Sequence, residues 1–295
     1  MATVSSGSKA DRFSFIERHG EALGVRYLCD WLNVSPAGFY KWRARGEGLR
    51  ENSDRQLLEK IKQIFIDSDT TYDSPRVFKQ LRQEGERVGR SRVERLMRET
   101  GLVGKAARMY RRKAAAVSSY MKLPNLRFDK PAPTAINQQW VGDITYIKVR
   151  GKWCYLAVVM DLYSRKIVGW SLENYKTAEL TLSALRKALK LREVKPGLIF
   201  HTDRGTEYGS HLMQNELRRR GILSSMNRPS TVTDNAHMES FFRSMKTECI
   251  YGYSFKDESD LRLTLSDYMH DFYNKRRLHS GISYHSPMEY EKRAA

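Results

Sequence analysis

The feature that most limits the fold of this chain is a change of period near residue 138. Up to about residue 100, apolar residues recur at three- and four-residue steps. From Gln138 onward, short alternating runs rich in strand formers take over. A helical period cannot sit as a strand, nor the reverse, so the chain divides into an all-helical front and an α/β body. In the body, Trp140 to Ile147 alternates, Gly151-Lys152 turns the chain into Trp153–Asp161, and Tyr163 to Lys166 turns it again into Ile167–Leu172. A helix is expected from about Thr177 to Leu191, a strand from Gly197 to Asp203, a helix over Ser210–Arg220 and a short strand from Ile222 to Met226. Helices follow over Asn235 to about Cys249 and Leu261–Lys275. Three antiparallel strands, then helix, strand, helix, strand and helix, is the element order of a ribonuclease-H-like core with a mixed five-stranded sheet.

The front holds two helical units. In the first, Ala22 to Leu32 is helical, Asn33 to Pro36 breaks the pattern, and Ser35 and Pro36 open a basic, aromatic helix carrying Lys41, Arg43 and Arg45. Helix, tight turn and basic helix is the helix-turn-helix pattern, whose second helix enters the DNA major groove. An ordinary helical hairpin is the plain alternative. In the second unit, Asp54–Asp67 and Arg76–Glu84 precede a helix from Ser91 to about Thr100, with Ser91 as its cap. That last helix sets Arg92, Arg95 and Arg98 in one stripe while Val93, Leu96 and Met97 pack inward. Residues 102–136 lose periodicity and contain Arg111-Arg112-Lys113 and several prolines, as expected of a basic linker along a phosphate backbone. The expected domains are therefore 1–50, 51–105, a linker 106–136, a catalytic core 137–250 and a helical extension 251–295.

Charge agrees with a polyanionic partner. Lys plus Arg number 52 against 34 Asp plus Glu, and residues 87–130 alone hold 13 basic and three acidic side chains. Such an excess releases counterions on contact with phosphates, though a solvated surface also fits a bare count. The three cysteines, Cys29, Cys154 and Cys249, are far apart, which disfavours a disulfide framework or a Cys-rich zinc site and suits a reducing cytoplasm. No apolar run is long enough to span a bilayer, and Met1 to Ala10 lacks the apolar stretch of a signal peptide.

Three acids stand where phosphoryl transfer would need them. Asp143 lies inside the first strand among apolar neighbours, where an unpaired carboxylate costs on the order of several kcal/mol. Asp203 ends the fourth strand and Glu239 lies on a later helix. If the first and fourth strands are neighbours, the two aspartates face each other and a helix across their ends brings in Glu239. Three such carboxylates repel unless a cation sits among them, and oxygen ligands suit Mg²⁺ or Mn²⁺. Two such ions clamp the entering and leaving oxygens of a displacement at phosphorus. Taken singly, each acid also has a structural reading; their combination points to chemistry.

The stretches WVGDITYI at 140–147, DLYSRKIVGW at 161–170, HTDRGTEY at 201–208, DNAHMESFFRSMKTE at 234–248 and YNKRRLHSGISYHSPMEYE at 273–291 resemble the IS3-type insertion-sequence transposases, within the retroviral-integrase superfamily. Thirty-five residues separate Asp203 from Glu239, the D,D(35)E spacing of that group. TYDSPRVFKQLRQEG and SRVERLMRETGL resemble the segment before its core. Two positions depart: Asp73 stands where a glycine is usual, and Glu207 where a glutamine is often found. The resemblance implies a DNA transposase that binds element ends and carries out metal-dependent strand cleavage and strand transfer, with Asp143, Asp203 and Glu239 holding two Mg²⁺ ions. It further implies a circular intermediate before insertion, a homo-oligomer on DNA and, often, a partner reading frame's product. Lys246, two turns beyond Glu239, and Arg204, beside Asp203, are expected to reach DNA. An RNA–DNA hybrid nuclease would not need two basic helical units, and a retroviral integrase would carry an N-terminal His/Cys zinc unit that His19 and Cys29 do not make. A non-catalytic DNA-binding regulator is the reading from another class, disfavoured by the presence of all three acids.

Overall fold

The computed structural model describes residues 8–44, 49–105, 123–128, 130–229 and 231–294. The expected basic run Arg111, Arg112 and Lys113 lies outside them. The chain separates into two compact units, Met1–Gln63 and Ile64–Ala295.

In the first unit, α1 (Lys9–Leu23), α2 (Val25–Trp31) and α3 (Pro36–Ala44) enclose Phe13, Ile16, Leu28, Cys29, Leu32 and Phe39. Ser8 and Asp11 form a reciprocal capping box at the start of α1. Ser35 caps α3, accepting from Gly38 N at 3.0 Å, with Pro36 as the first helical residue. Lys41 and Arg43 are exposed on α3. α4 (Leu49–Asp67) leads into the second unit.

There, α5 (Ser74–Gln83) and α6 (Arg90–Glu99) pack together through Val77, Leu81, Val93, Leu96 and Met97. The helix carrying the arginine stripe begins at Arg90 with Gly89 at its N-cap, so Ser91 is already helical and does not cap it. Asp73, the residue that departs from the family pattern, is the N-cap of α5: its carboxylate accepts from Arg76 N at 3.3 Å and meets Arg76 Nη1 at 3.3 Å. Tyr72 and Arg76 tie this helical pair to the C-terminal segment. Tyr72 Oη donates to Arg276 O at 3.1 Å and accepts from Leu278 N at 3.0 Å, and Arg76 Nε donates to Leu278 O at 3.1 Å.

The body is built on β1 (Gln139–Val149), β2 (Lys152–Asp161), β3 (Ile167–Glu173), β4 (Ile199–Thr202) and β5 (Leu223–Met226), in the order β3-β2-β1-β4-β5. β1, β2 and β3 are antiparallel neighbours; β1–β4 and β4–β5 are parallel. This is the expected mixed five-stranded sheet. α7 (Ala178–Leu191), a single turn α8 (Thr206–Gly209) and α9 (His211–Arg219) supply the connections between parallel strands. Trp140, Val159, Val168 and Phe200 from the sheet meet Leu180, Leu185, Ala188, Met213 and Leu217 from the helices in one core. Gly169 on β3 makes that packing close, because a Cβ there would collide with the backbone of α7 at Ala184 and Ala188.

α10 (Ala236–Met245) crosses against β1, and α11 (Glu258–Asp267) and α12 (Pro287–Ala294) complete the body. The helix expected from Asn235 to Cys249 is not uniform: it widens into a π-helical segment at Lys246–Ile250, and α11 does the same at Tyr268–Tyr273. The widened turn buries four successive residues, Thr247 to Ile250, which one face of an α-helix cannot do. It brings the buried Glu248 to Arg277, with Nη2–Oε1 at 2.6 Å and Nε–Oε2 at 2.8 Å, while Tyr268 Oη donates to the same carboxylate at 2.7 Å. No described helix is long and apolar enough to cross a membrane.

Candidate active site

Sheet register sets the two aspartates side by side. Gly142 of β1 pairs in parallel with Thr202, the last residue of β4, so Asp143 and Asp203 each directly follow a paired residue on neighbouring strands about 4.8 Å apart. Trp140 and Phe200, also a register pair, belong to the core; three residues later the alternation points both aspartates to the opposite face. On the core face Gly142 leaves room for the Phe200 ring, which would lie 2.6 Å from a Cβ there. The carboxylates are held from their own backbones: Asp143 Oδ1 accepts from Ile144 N at 2.7 Å and Asp203 Oδ1 from Gly205 N at 2.9 Å.

Electrostatically the pair is in conflict. Burial, then the neighbouring Asp203 charge, pushes the Asp143 carboxyl up to about 8, with Glu239 adding to the rise and the Ile144 N–H and Lys176 opposing it. Burial also raises Asp203, with Glu207 adding, against the Gly205 N–H and Lys176. Tyr208 behind them is fully enclosed, and burial together with Asp143, Asp203 and Glu207 holds its phenol well above the usual range.

Lys176, in the turn between β3 and α7, is a residue that sequence reasoning missed. It acts on both aspartates and pairs with Glu207 at 3.1 Å. Glu207, the second departure from the family pattern, is thereby paired with a cation at the edge of the site. Only the unusual acid at 207 hinted at such a partner, and nothing in the spacing said where it would come from.

Glu239 is in the first turn of α10, exposed, on a helix whose preceding residue Asn235 donates from Nδ2 to Gly142 O at 3.3 Å. The helix carrying the third acid is thus tied to the strand carrying the first. Among the described residues, no three His, Cys, Asp or Glu side chains are gathered closely enough to hold a metal ion as they stand.

The expected DNA-facing residues divide by environment. Lys246 begins the π segment with its ammonium over the Tyr146 ring, 4.9 Å from the centroid, and Tyr146 meets Trp153 edge-on at 5.1 Å. These two rings, 57% and 46% exposed, form an aromatic and basic ledge beside α10 that sequence reasoning also missed. Arg204 donates to Asn227 O at 2.7 Å and to Leu123 O at 3.4 Å, which fixes the loop after Asp203. On α6, Arg95 pairs with Glu99 at 2.9 Å, Arg98 is exposed and Arg92 half-buried. Arg43 lies 3.8 Å from Glu17 on the first unit, and Lys41 is exposed.

Residues 133–231 and 239–294 match integrase core domain families, and residues 51–112 match an HTH-like domain family. The chain therefore carries the ribonuclease-H-like fold of an integrase core behind a helix-turn-helix-like segment. It is 34% identical over 288 residues, 96% of its own length and 99% of the relative's, to the transposase InsF for insertion sequence IS3A of Escherichia coli K12. It is 38% identical over 248 residues, 82% of this chain and 96% of the relative, to the transposase for insertion sequence element IS904 of Lactococcus lactis. Among solved structures, the HTLV-2 integrase catalytic core in complex with magnesium aligns at 18% identity and a TM-score of 0.40, covering 54% of this chain and 98% of that one. This chain belongs to the IS3 family of insertion-sequence transposases, whose work is DNA transposition.

Proposed function

We propose that this transposase binds the ends of its insertion sequence and performs both strand cleavage and strand transfer at Asp143, Asp203 and Glu239. The observation that carries this reading is the placement of Asp143 and Asp203 beside each other, with Asp143 pushed to about 8 although Lys176, itself paired with Glu207, acts on both. A protein does not keep two carboxylates so placed for stability, since each disfavours the other's charge. The donor set is oxygen only and short of positive charge, which fits a hard divalent cation such as Mg²⁺. Asp143, Asp203 and Glu239 are the residues that would hold it. When bound, two such ions supply positive charge for the entering and leaving oxygens at phosphorus and lower the pKa of the attacking water.

In the cleavage step, a water oxygen attacks the phosphorus at the element's end, the P–O3′ bond breaks, and a free 3′-hydroxyl is left. That hydroxyl then attacks a second phosphodiester and displaces its 3′-oxygen, so one P–O bond forms as another breaks and no covalent bond to the protein is needed. The chain's own residues prepare the site. Gly205 and Ile144 N–H groups orient the aspartates, Asn235 fixes the start of the Glu239 helix, and Lys176 balances Glu207 at the rim. Lys246 and the Tyr146–Trp153 ledge hold a phosphate and a neighbouring base. Lys41 and Arg43 on α3, and Arg92, Arg95 and Arg98 on α6, are the candidates for phosphate and groove contacts, with Arg111, Arg112 and Lys113 continuing along the backbone. Joining two ends calls for more than one copy on DNA, with a partner reading frame's product as a further component.

The test is cleavage and joining of labelled element-end DNA in Mg²⁺ or Mn²⁺ by the wild type and by Glu239→Gln. Loss of both steps with retained DNA binding supports the triad. Equal activity in the two proteins removes it, and binding without chemistry in the wild type favours a regulator or shows that the partner reading frame's product is required.

A further inference from the structure

Behind the helix that carries Glu239 lies a second, differently charged cavity of about 240 Å³. Its walls include Arg76, Arg165, Arg277, His237, His279 and Ser244, and no acidic side chain lines it among the described residues. On α10 the lining positions 237, 240, 241 and 244 follow helical spacing and fall on the face away from Glu239. The cavity is therefore separate from the carboxylate site while sharing its helix.

Its charges are unequally compensated. Arg277 is neutralised by Glu248 at 2.6 Å, and Arg76 meets Asp73 at 3.3 Å. Among the described residues Arg165 has no such partner, and its Nη1 is buried with no hydrogen-bond acceptor. The carboxylate that acts on Arg165, Asp161, already accepts from Asn137 N at 2.7 Å, Tyr163 N at 2.9 Å and Trp140 Nε1 at 3.2 Å. His279 repeats the pattern: Nδ1 lies 3.4 Å from Arg277 Nη1, which leaves the proton on Nε2, and Nε2 is buried with no acceptor among the described residues. Burial and the charges of Arg277, Arg76 and Arg165 keep that ring neutral, a sign of strong positive potential. Two buried donors without acceptors, in a cationic cavity with hydroxyls on its wall, are the outline of an anion.

We infer that this cavity binds a backbone phosphate of the DNA, through Arg165, His279 and Ser244, apart from the phosphate being cut. It has room for one phosphodiester group and a few waters, at roughly 30 Å³ each. Arg165 is rigidly presented: it occupies the left-handed region, φ 63°, in the turn between β2 and β3. A phosphate held there is anchored to the back of α10 and so sets the position of the Glu239 helix relative to the bound duplex. The inference rests on the chain handling DNA, but not on the acid triad.

The experiment is binding of the full chain to a labelled 30-base-pair duplex of arbitrary sequence, without divalent metal, over a range of salt. The variants are Arg165→Asn, which suits the left-handed backbone, Arg165→Lys, and Ser244→Glu, which leaves every cation in place and puts a carboxylate at the wall. One lost phosphate contact lowers the slope of log K against log salt by about 0.9. That loss is expected in Arg165→Asn and Ser244→Glu, with a smaller loss in Arg165→Lys. Inorganic phosphate is expected to raise the melting temperature of the wild type and not of Ser244→Glu. An unchanged slope in folded Ser244→Glu overturns the proposal. If phosphate protects the wild type while that slope is unchanged, the cavity takes a free phosphate instead, which also overturns it. Because no metal or chemistry enters the measurement, failure of the triad in the cleavage assay leaves this result standing.

Discussion

Two groups of buried charge in the body make an instructive contrast. At the Glu248–Arg277 pair, a carboxylate meets a guanidinium in a two-pronged arrangement and takes a third hydrogen bond from Tyr268. Burial alone would weaken the Arg277 charge, yet Glu248 outweighs it and the guanidinium is held more firmly protonated than usual. At Asp143–Asp203, two carboxylates stand just past a paired row of β1 and β4, backbone N–H groups are their main support, and burial with the Asp203 charge drives Asp143 to about 8. The first cluster is closed: every charge has its counterpart within the chain. The second is open: the cation that acts on both aspartates, Lys176, is itself paired with Glu207. Closed clusters hold elements in place, whereas open ones are where ligands and chemistry enter.

The largest test of that contrast is chemical. Replacing Asp143 with Asn is expected to reduce strand cleavage on the order of 10³-fold or more, as removal of charge at a metal-assisted site does. The folded protein should survive it, since an isosteric amide relieves the repulsion. Loss of activity together with loss of the fold would mean that the pair is structural after all, and the contrast would break.

The closed cluster should answer in the opposite way. Glu248→Gln leaves Arg277 charged and buried without its counter-ion, a change that costs about 3–5 kcal/mol in stability. Denaturant unfolding followed by circular dichroism would read this as a lower midpoint at unchanged slope. A variant as stable as the wild type would show that the π-helical turn, and not the ion pair, secures this corner.

A sharper comparison comes from pH. The folded protein binds the Asp143 proton more tightly than the unfolded chain, so this carboxyl takes nothing from stability below the ordinary carboxylate range. It becomes destabilising as pH climbs from about 4 towards about 8. Asp143→Asn should therefore match the wild type in melting temperature near pH 4 and exceed it clearly near pH 8.5. Mg²⁺ should narrow the gap at pH 8.5 by stabilising the wild type alone. Parallel curves at all pH values would mean that the Asp143 carboxyl titrates near its ordinary range.

The open cluster was legible in the sequence and the closed one was not. An aspartate inside an apolar alternating strand breaks the local pattern, and Asp203 at a strand end and Glu239, with thirty-five residues between them, complete the spacing of the family the chain resembles. The parallel pairing of β1 with β4 was conditional on strand order, and register settled it. The Glu248–Arg277 pair depends on two helices widening into π turns, which no period in the sequence announces, because the signal is only four successive buried residues. Lys176 and the free donors of Arg165 and His279 depend likewise on which loops meet, a matter of tertiary contact. The start of α6 shows a smaller limit: Ser91 is a good cap by type, but Gly89 holds the extended backbone, and the helix begins one residue earlier.

The smallest expected effect concerns Asp73, where a local rule and a family pattern disagree. The family carries glycine there, whereas here the carboxylate caps α5 and reaches Arg76. Glycine is itself an acceptable N-cap, so Asp73→Gly should cost only a few tenths of a kcal/mol, while Asp73→Ala should cost about 1 kcal/mol. The half-exposed ion pair adds little to either figure, because exposed pairs contribute about 0–1 kcal/mol. Arg76 also donates to Leu278 O and lines the cationic cavity, so releasing it from Asp73 leaves one more uncompensated charge beside Arg165. Asp73→Ala should therefore lose stability and yet bind a duplex slightly more tightly at low salt. Stability and binding falling together would show instead that Asp73 holds Arg76 in the position the cavity requires, making the cap a part of the site.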